Sequence, residues 1–226
     1  MSVSTDFLET IPLFSSLSPS ELEQIQSLLT KRRFRKNEVI FLEGEPCTGL
    51  HFVRLGRVKV CKTSVQGRER ILRILRAGDY CGACAIFYRG LNPVTAVALE
   101  DSSLYAMKKE DVKRLLADHP KVASSLLNHF ASALQHFLSL AGRSSFGTVK
   151  SRLARALLEY AEREGHITNR GIGLNWRLTQ EELAGFVGTT REVVSRSLRR
   201  LQEDGAISVE RGQITVLDEE RLRRIA

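Results

Sequence analysis

Apolar positions along the 226-residue chain change their period several times. Leu22, Ile25, Leu28 and Leu29 share one helical face behind Ser18-Pro19-Ser20-Glu21. There Ser18 can cap, Pro19 suits the first helical position and Glu21 closes a capping box. From Phe34 to Met107 the pattern shortens to runs such as Val39-Ile40-Phe41-Leu42 and Val58-Lys59-Val60, punctuated by Gly44, Gly49, Gly56, Gly67, Gly78, Gly82 and Gly90. Short strands with regular turn signals predict a β-barrel, roll or sandwich. Helical spacing returns over Lys108–Leu116 and again from Pro120 to about Ala141. In the longer helix Ala123, Leu127, Phe130, Leu134, Phe137 and Ala141 recur at alternating spacings of four and three, the seam of a coiled coil. That seam predicts a homodimer; packing of the same face onto its own domain is the alternative.

Small and polar residues at Gly142-Arg143-Ser144-Ser145-Phe146-Gly147 predict a hinge, after which a second domain begins. Val149–Glu164 reads as an amphipathic helix with Leu153, Ala156, Leu157 and Tyr160 on one face. Two shorter helices follow, then a hairpin from Ile207 to Val216 turning at Arg211-Gly212. The expected division is 1–118, 119–142 and 143–226.

Between Leu178 and Asp204 two helical starts flank one tight turn. Thr179 and Glu182 form a capping box, Leu183, Ala184 and Val187 face inward, and Gly188 permits the turn. Thr190 is placed to cap a second helix buried through Val193, Val194, Leu198 and Leu201. This is the grammar of a helix-turn-helix. The second helix leaves Arg191, Glu192, Ser195, Arg196 and Arg199 outward, and Thr179, Gln180 and Thr190 stand at the helix starts. Arginine can donate a bidentate pair to guanine, glutamate can accept from the cytosine amino group, and serine adapts to base or phosphate. These eight residues are the expected DNA contacts.

Charge changes this picture little. The net charge of +8 invites a polyanion, yet basic residues outnumber acidic ones by 19 to 14 up to Gly142 and by 15 to 12 beyond it, so charge does not locate the DNA face. With 42% hydrophobic and 27% charged residues the chain should fold as an ordinary globular protein. No run approaches the ~20 apolar residues of a membrane span, and Met1–Thr10 lacks the regions of a secretory signal. A cytoplasmic location and no membrane partner are expected.

The helix-turn-helix, taken with Gly44-Glu45, Gly56, Gly67, Gly78-Asp79-Tyr80-Cys81-Gly82, Phe87, the long helix and Arg191-Glu192-Val193-Val194-Ser195-Arg196, resembles the Crp/Fnr regulators, the cyclic-AMP receptor and fumarate-nitrate reduction family. The resemblance covers most of the chain. It implies an α+β protein with an N-terminal cyclic-nucleotide-binding-like β-roll, a central dimerisation helix and a C-terminal winged helix-turn-helix with its wing at Ile207–Val216. The implied partners are a second copy, two-fold symmetric promoter DNA whose half-sites carry a TGA-like core, and RNA polymerase. It also places the effector pocket at Val60, Leu72, Cys81, Gly82, Ala83, Val94 and Thr95.

That pocket departs from the family pattern. Members that bind cyclic nucleotides carry Gly-Glu after the Gly-Asp turn, where this chain has Gly82-Ala83, and Arg-Ser or Arg-Thr about ten residues later, where it reads Asn92-Pro93-Val94-Thr95 with Pro93 or Val94 at the arginine position. A carboxylate for the ribose and a forked cation for the phosphate are both missing. Binding of cyclic AMP in the usual manner is therefore not expected, and the effector is left unknown.

The same turn holds Cys81 and Cys84, with Cys61 on a preceding strand and Cys47 before it. Four thiolates could hold an iron–sulfur cluster or zinc, Cys81 and Cys84 alone could form a dithiol switch, and all four could be buried hydrophobes in a regulator answering to a small organic ligand. The N-terminal cysteine cluster usual in the iron–sulfur branch is lacking. A cysteine-dependent redox enzyme is the competing function class, but no phosphate loop or zinc-hydrolase motif accompanies Cys81, and a non-enzymatic regulator is expected.

Overall fold

The computed structural model describes residues 5–67, 69–144, 148–174, 179–210 and 213–226, with the side chains at 5, 136–144 and 163 outside the description. The chain divides into two compact units, Met1–Gly67 with Leu72–Leu138, and Arg68–Ile71 with Ser139–Ala226.

The first unit opens with α1 (Thr5–Glu9), a 3-10 turn at Pro12–Phe14 and α2 (Pro19–Leu28). The capping box read from Ser18 and Glu21 is present: the Ser18 N–H donates to Glu21 Oε2 at 2.7 Å, and Ser18 Oγ accepts from the Glu21 N–H. Eight strands follow in two sheets. β1 (Leu29–Phe34), β8 (Ser102–Lys108), β3 (Gly49–Leu55) and β6 (Tyr80–Cys81) run in the order β1-β8-β3-β6, antiparallel throughout. β2 (Val39–Phe41), β7 (Thr95–Ala98), β4 (Val58–Thr63) and β5 (Glu69–Leu75) form the second, in the order β2-β7-β4-β5.

Alternation along these strands feeds two cores, since successive side chains leave a strand on opposite faces. Phe52 and Tyr105 point to one side and join Phe14, Leu22, Ile25 and Met107, whereas Val53 and Leu104 point to the other and meet Phe41, Val58, Leu75 and Ala96 between the sheets. α3 (Ala83–Phe87) was not expected from the sequence; its five residues break the strand pattern directly after β6. Gly82 precedes it at φ 98°, and a Cβ there would lie 2.3 Å from the Gly49 carbonyl oxygen, so only glycine fits.

α4 (Lys109–Asp118) and α5 (Pro120–Ser144) complete this part of the chain. α5 continues through Ser144, which corrects the expected hinge: Gly142, Arg143 and Ser144 extend the helix, and Ser145, Phe146 and Gly147 lie outside the described residues.

In the second unit α6 (Val149–Glu164) is capped by Thr148, whose hydroxyl accepts the Ser151 N–H at 3.2 Å. It packs Leu153, Ala154 and Leu157, all fully buried, against α7 (Gln180–Val187) and α8 (Arg191–Glu203). β11 (Ile207–Glu210) and β12 (Gln213–Val216) form the expected hairpin, its Arg211-Gly212 turn outside the described residues. It is widened by an unforeseen hairpin of β9 (Gly165–Thr168) and β10 (Gly171–Leu174) into a sheet of order β11-β12-β10-β9. α9 (Glu219–Ile225), also unforeseen, closes the core with Leu222.

Candidate DNA-binding face and effector cavity

The helix-turn-helix is built by local bonds. Thr179 donates its N–H to Glu182 Oε2 at 2.7 Å and accepts the Glu182 N–H at 3.2 Å, so its hydroxyl serves α7 itself. Leu178 lies outside the described residues. Gly188 ends α7 at φ 75°, and the Gly188 and Thr189 N–H groups both donate to the Ala184 carbonyl at 2.9 Å. Arg152 of α6 donates to the Val187 carbonyl at 3.1 Å and ties the turn to its support.

α8 buries Val194, Ser197, Leu198 and Leu201 and leaves Arg191, Glu192, Ser195, Arg196 and Arg199 exposed, with Val193 half-buried. One correction concerns its start: Thr190 occupies the N-cap position but makes no side-chain cap. Its hydroxyl bonds Glu192 instead. The Glu192 carboxyl is held below its ordinary range by its own backbone N–H and then by Thr190, so it stands ionised as an acceptor. Thr179, Gln180 and Thr190 are exposed as well.

A cavity of about 260 Å³ lies within the first unit, between α3, the strands beside it and α5. Six of the seven expected pocket residues line it: Val60, Leu72, Cys81, Gly82, Ala83 and Val94. Thr95 does not, because its hydroxyl accepts the Glu43 N–H at 3.0 Å. Sequence reasoning missed Phe41, Arg73, Tyr80 and Asn92, and the residues His129, Phe130 and Ala133 that α5 contributes.

Polar groups in this wall are few and mostly engaged. Arg73 donates to Asp79 Oδ1 at 3.0 Å, and the other oxygen of Asp79 accepts the Arg76 N–H at 3.0 Å. The His129 ring lies 3.5 Å from the Arg73 guanidinium, and burial followed by that cation pushes its pKa down. Burial raises the Tyr80 phenol to about 12. Asn92 is 4% exposed, and its side-chain amide has no hydrogen-bond partner among the described residues.

The structure does not gather the four cysteines. All are free thiols, and among the described residues no three His, Cys, Asp or Glu side chains could hold a metal ion. The Cys47 thiol bonds the Gly49 and Gly82 carbonyls, each at 3.6 Å, and Cys61 is buried in the roll. Cys81 faces the His51 carbonyl, and burial pushes its pKa up to about 12. Cys84 and Cys47 are raised for the same reason. Groups that stay protonated are poor ligands and poor nucleophiles, since the thiolate is the reactive form.

Of the seam residues, Leu127 is 67% and Leu134 59% exposed, Ala123 is half-buried and Phe130 packs edge-on against Phe87 at 6.5 Å. The Phe137 and Ala141 side chains lie outside the description.

Residues 31–119 match the family model of the cyclic nucleotide-binding domain, and residues 151–225 that of the Crp-like helix-turn-helix domain. This chain belongs to the Crp/Fnr family. It is 32% identical to the "Cyclic AMP receptor protein" of Thermus thermophilus over 95% of this chain and 96% of that one. With the "CRP-like cAMP-activated global transcriptional regulator" of Mycobacterium tuberculosis it shares 29% over 98% and 99%. Among solved structures, FixK2 of Bradyrhizobium japonicum superposes with a TM-score of 0.77 at 25% identity, over 87% of this chain and 96% of that one. The Mycobacterium tuberculosis relative is named as a transcriptional regulator, and this Crp/Fnr chain, with its Crp-like helix-turn-helix domain, is a DNA-binding regulator rather than an enzyme. No helix among its described residues is long and apolar enough to cross a membrane.

Proposed function

We propose that this Crp/Fnr regulator works as a cytoplasmic homodimer that reads two-fold symmetric promoter DNA and cooperates with RNA polymerase, and that its roll cavity takes a small, largely apolar effector without a phosphate. The cavity wall carries the effector reading. Ala83, Pro93 and Val94 offer neither a carboxylate nor a cation, and Arg73, the one guanidinium of the lining among the described residues, is paired with Asp79. A cyclic nucleotide would bury its phosphate charge without a forked partner, which is costly. An uncharged ring with one hydrogen-bonding group fits instead, its apolar body among Phe41, Val60, Leu75 and Phe130 and its polar end at the Asn92 amide.

The dimer reading rests on Leu127 and Leu134, two exposed leucines spaced seven apart on α5. The DNA reading rests on the exposed α8 face, and its domain plan is a roll over 1–118, the long helix α5 running on through Ser144, and a DNA-binding part beyond it. A thiol or metal sensor finds less support, because burial raises Cys47, Cys81 and Cys84 alike.

Selection from a randomised duplex library, followed by operator titrations with cyclic AMP, benzamide, benzoate and phenol, tests these statements separately. A palindromic site whose affinity responds to an uncharged ring and ignores cyclic AMP is expected. A response to cyclic AMP at micromolar concentration would overturn the effector reading while leaving the DNA reading intact.

A further inference from the structure

A second concavity, of about 480 Å³, opens on the first unit and has no part in the effector cavity. Lys31, Arg33, Arg35 and Arg54 stand around it, and Phe34 and Leu55 supply apolar surface. The register of the sheet explains the arrangement: Arg33 of β1 pairs with Ser103 of β8, which pairs with Leu55 of β3, so one row crosses the sheet from a cation to an exposed leucine. Leu55 is 66% exposed.

No ion pair engages those four cations among the described residues. Two carboxylates also line the groove, and both are committed to backbone. Glu38 Oε2 accepts the Arg35 N–H at 2.7 Å, and Asp101 Oδ1 accepts the Lys36 N–H at 2.9 Å. Between the walls Ser103 is 9% exposed, and its hydroxyl has no hydrogen-bond partner among the described residues. A buried hydroxyl left unpaired costs free energy.

We propose that this groove receives an extended acidic peptide segment of a partner protein, seating one apolar side chain against Phe34 and Leu55. Clustered arginines match carboxylates by bidentate donation, and this is the chemistry by which acidic motifs are recognised. Nucleic acid fits less well, because its phosphates would leave the apolar surface unused. The assignment is independent of the effector and DNA readings.

Fluorescence anisotropy of the full chain with a labelled octapeptide alternating Asp or Glu with Leu tests it. Saturable binding that weakens as ionic strength rises is expected. A double substitution Arg33→Glu and Arg54→Glu, on exposed positions, should lower affinity about tenfold, and Leu55→Ser should lower it too, with melting temperature and operator affinity retained. A peptide with Ser in place of Leu should bind more weakly than its parent at equal charge. Absence of saturable binding at low salt, equal binding of oligodeoxythymidine or of the Ser peptide, or affinity undiminished in the double variant would each overturn the proposal.

Discussion

The His129 ring of α5 lies 4.8 Å from the Tyr80 ring of β6, the two planes tilted by 36°. This contact joins the long helix to the roll at the wall of the effector cavity, where Arg73 reaches the same imidazole at 3.5 Å. The helix that carries Leu127 and Leu134 thus forms part of the cavity wall. Replacing His129 with Ala is expected to lower unfolding stability by about 1 kcal/mol. His129→Phe should restore most of that loss by keeping the ring. Urea denaturation of the three proteins measures the difference, and equal stability of the Ala variant would remove the contact from the list of supports.

Buried His51 sets a pH dependence of stability. Its pKa is pushed down to about 4 by burial and secondarily by Arg32, and its Nδ1 has no hydrogen-bond partner among the described residues. The unfolded chain, with an imidazole near 6.5, binds the proton more readily, so this contribution is full above pH 6.5 and is lost as pH falls towards 4. The loss is on the order of 3 kcal/mol. His51→Leu should flatten the stability profile between those pH values relative to the parent. Parallel profiles for both proteins would show that His51 titrates normally in the fold.

Thiol reactivity should follow exposure and pKa. Cys84 is exposed, whereas Cys81 is driven to about 12. Timed iodoacetamide labelling read by mass spectrometry is expected to modify Cys84 first, with Cys81 and Cys47 far behind. The doubly substituted Cys81→Ser, Cys84→Ser protein should bind operator as the parent does, with and without peroxide. An oxidant response present in the parent and absent from that variant would reinstate the dithiol switch.

What was legible in the sequence was local. The Ser18 and Thr179 boxes, the limits of α6 and the turn at Gly188 follow from residues within one or two helical turns of each other, and each is present as read. The failures share a different cause. α3 has five residues and α9 seven, and helices that short are stabilised by tertiary packing more than by their own composition. The β9–β10 hairpin carried a turn signal at Asn169-Arg170-Gly171, yet Ile167 is 94% exposed, so the strand showed no clear apolar face. Arg73, Asn92 and His129 meet in one cavity from three distant segments, and no spacing rule connects them. Thr190 looked like a cap because only the next carboxylate, Glu192, decides where its hydroxyl turns.

Dimerisation should fail when the α5 seam is charged. Leu127 and Leu134 expose 67% and 59% of their surface in the single chain, and a seam of this kind gains its stability by covering such side chains. Leu134→Glu is expected to sediment as a monomer and to lose tight operator binding, because each half-site would then be bound alone. A Leu134→Glu protein that remains a dimer would move the interface elsewhere.

Base recognition should separate Arg196 from Arg199. Both are exposed on α8, but Arg196 follows Arg191, Glu192 and Ser195 in the half of the helix that meets base edges in helix-turn-helix proteins, and Arg199 lies one turn further on. A dimer sets two such helices in successive major grooves about 34 Å apart. Arg196→Ala should cost about 1–3 kcal/mol at the selected site and relax preference at one guanine in each half-site. Arg199→Ala should weaken all sequences similarly and reduce the salt dependence of binding, as expected for a lost phosphate contact. Glu192, held ionised beside Thr190, predicts in turn that Glu192→Gln loses discrimination at a cytosine. Competition binding across the randomised library reads all three variants in one experiment. An Arg196→Ala protein with its base preference intact would reassign Arg196 to the backbone and leave Arg191 and Glu192 as the remaining readers.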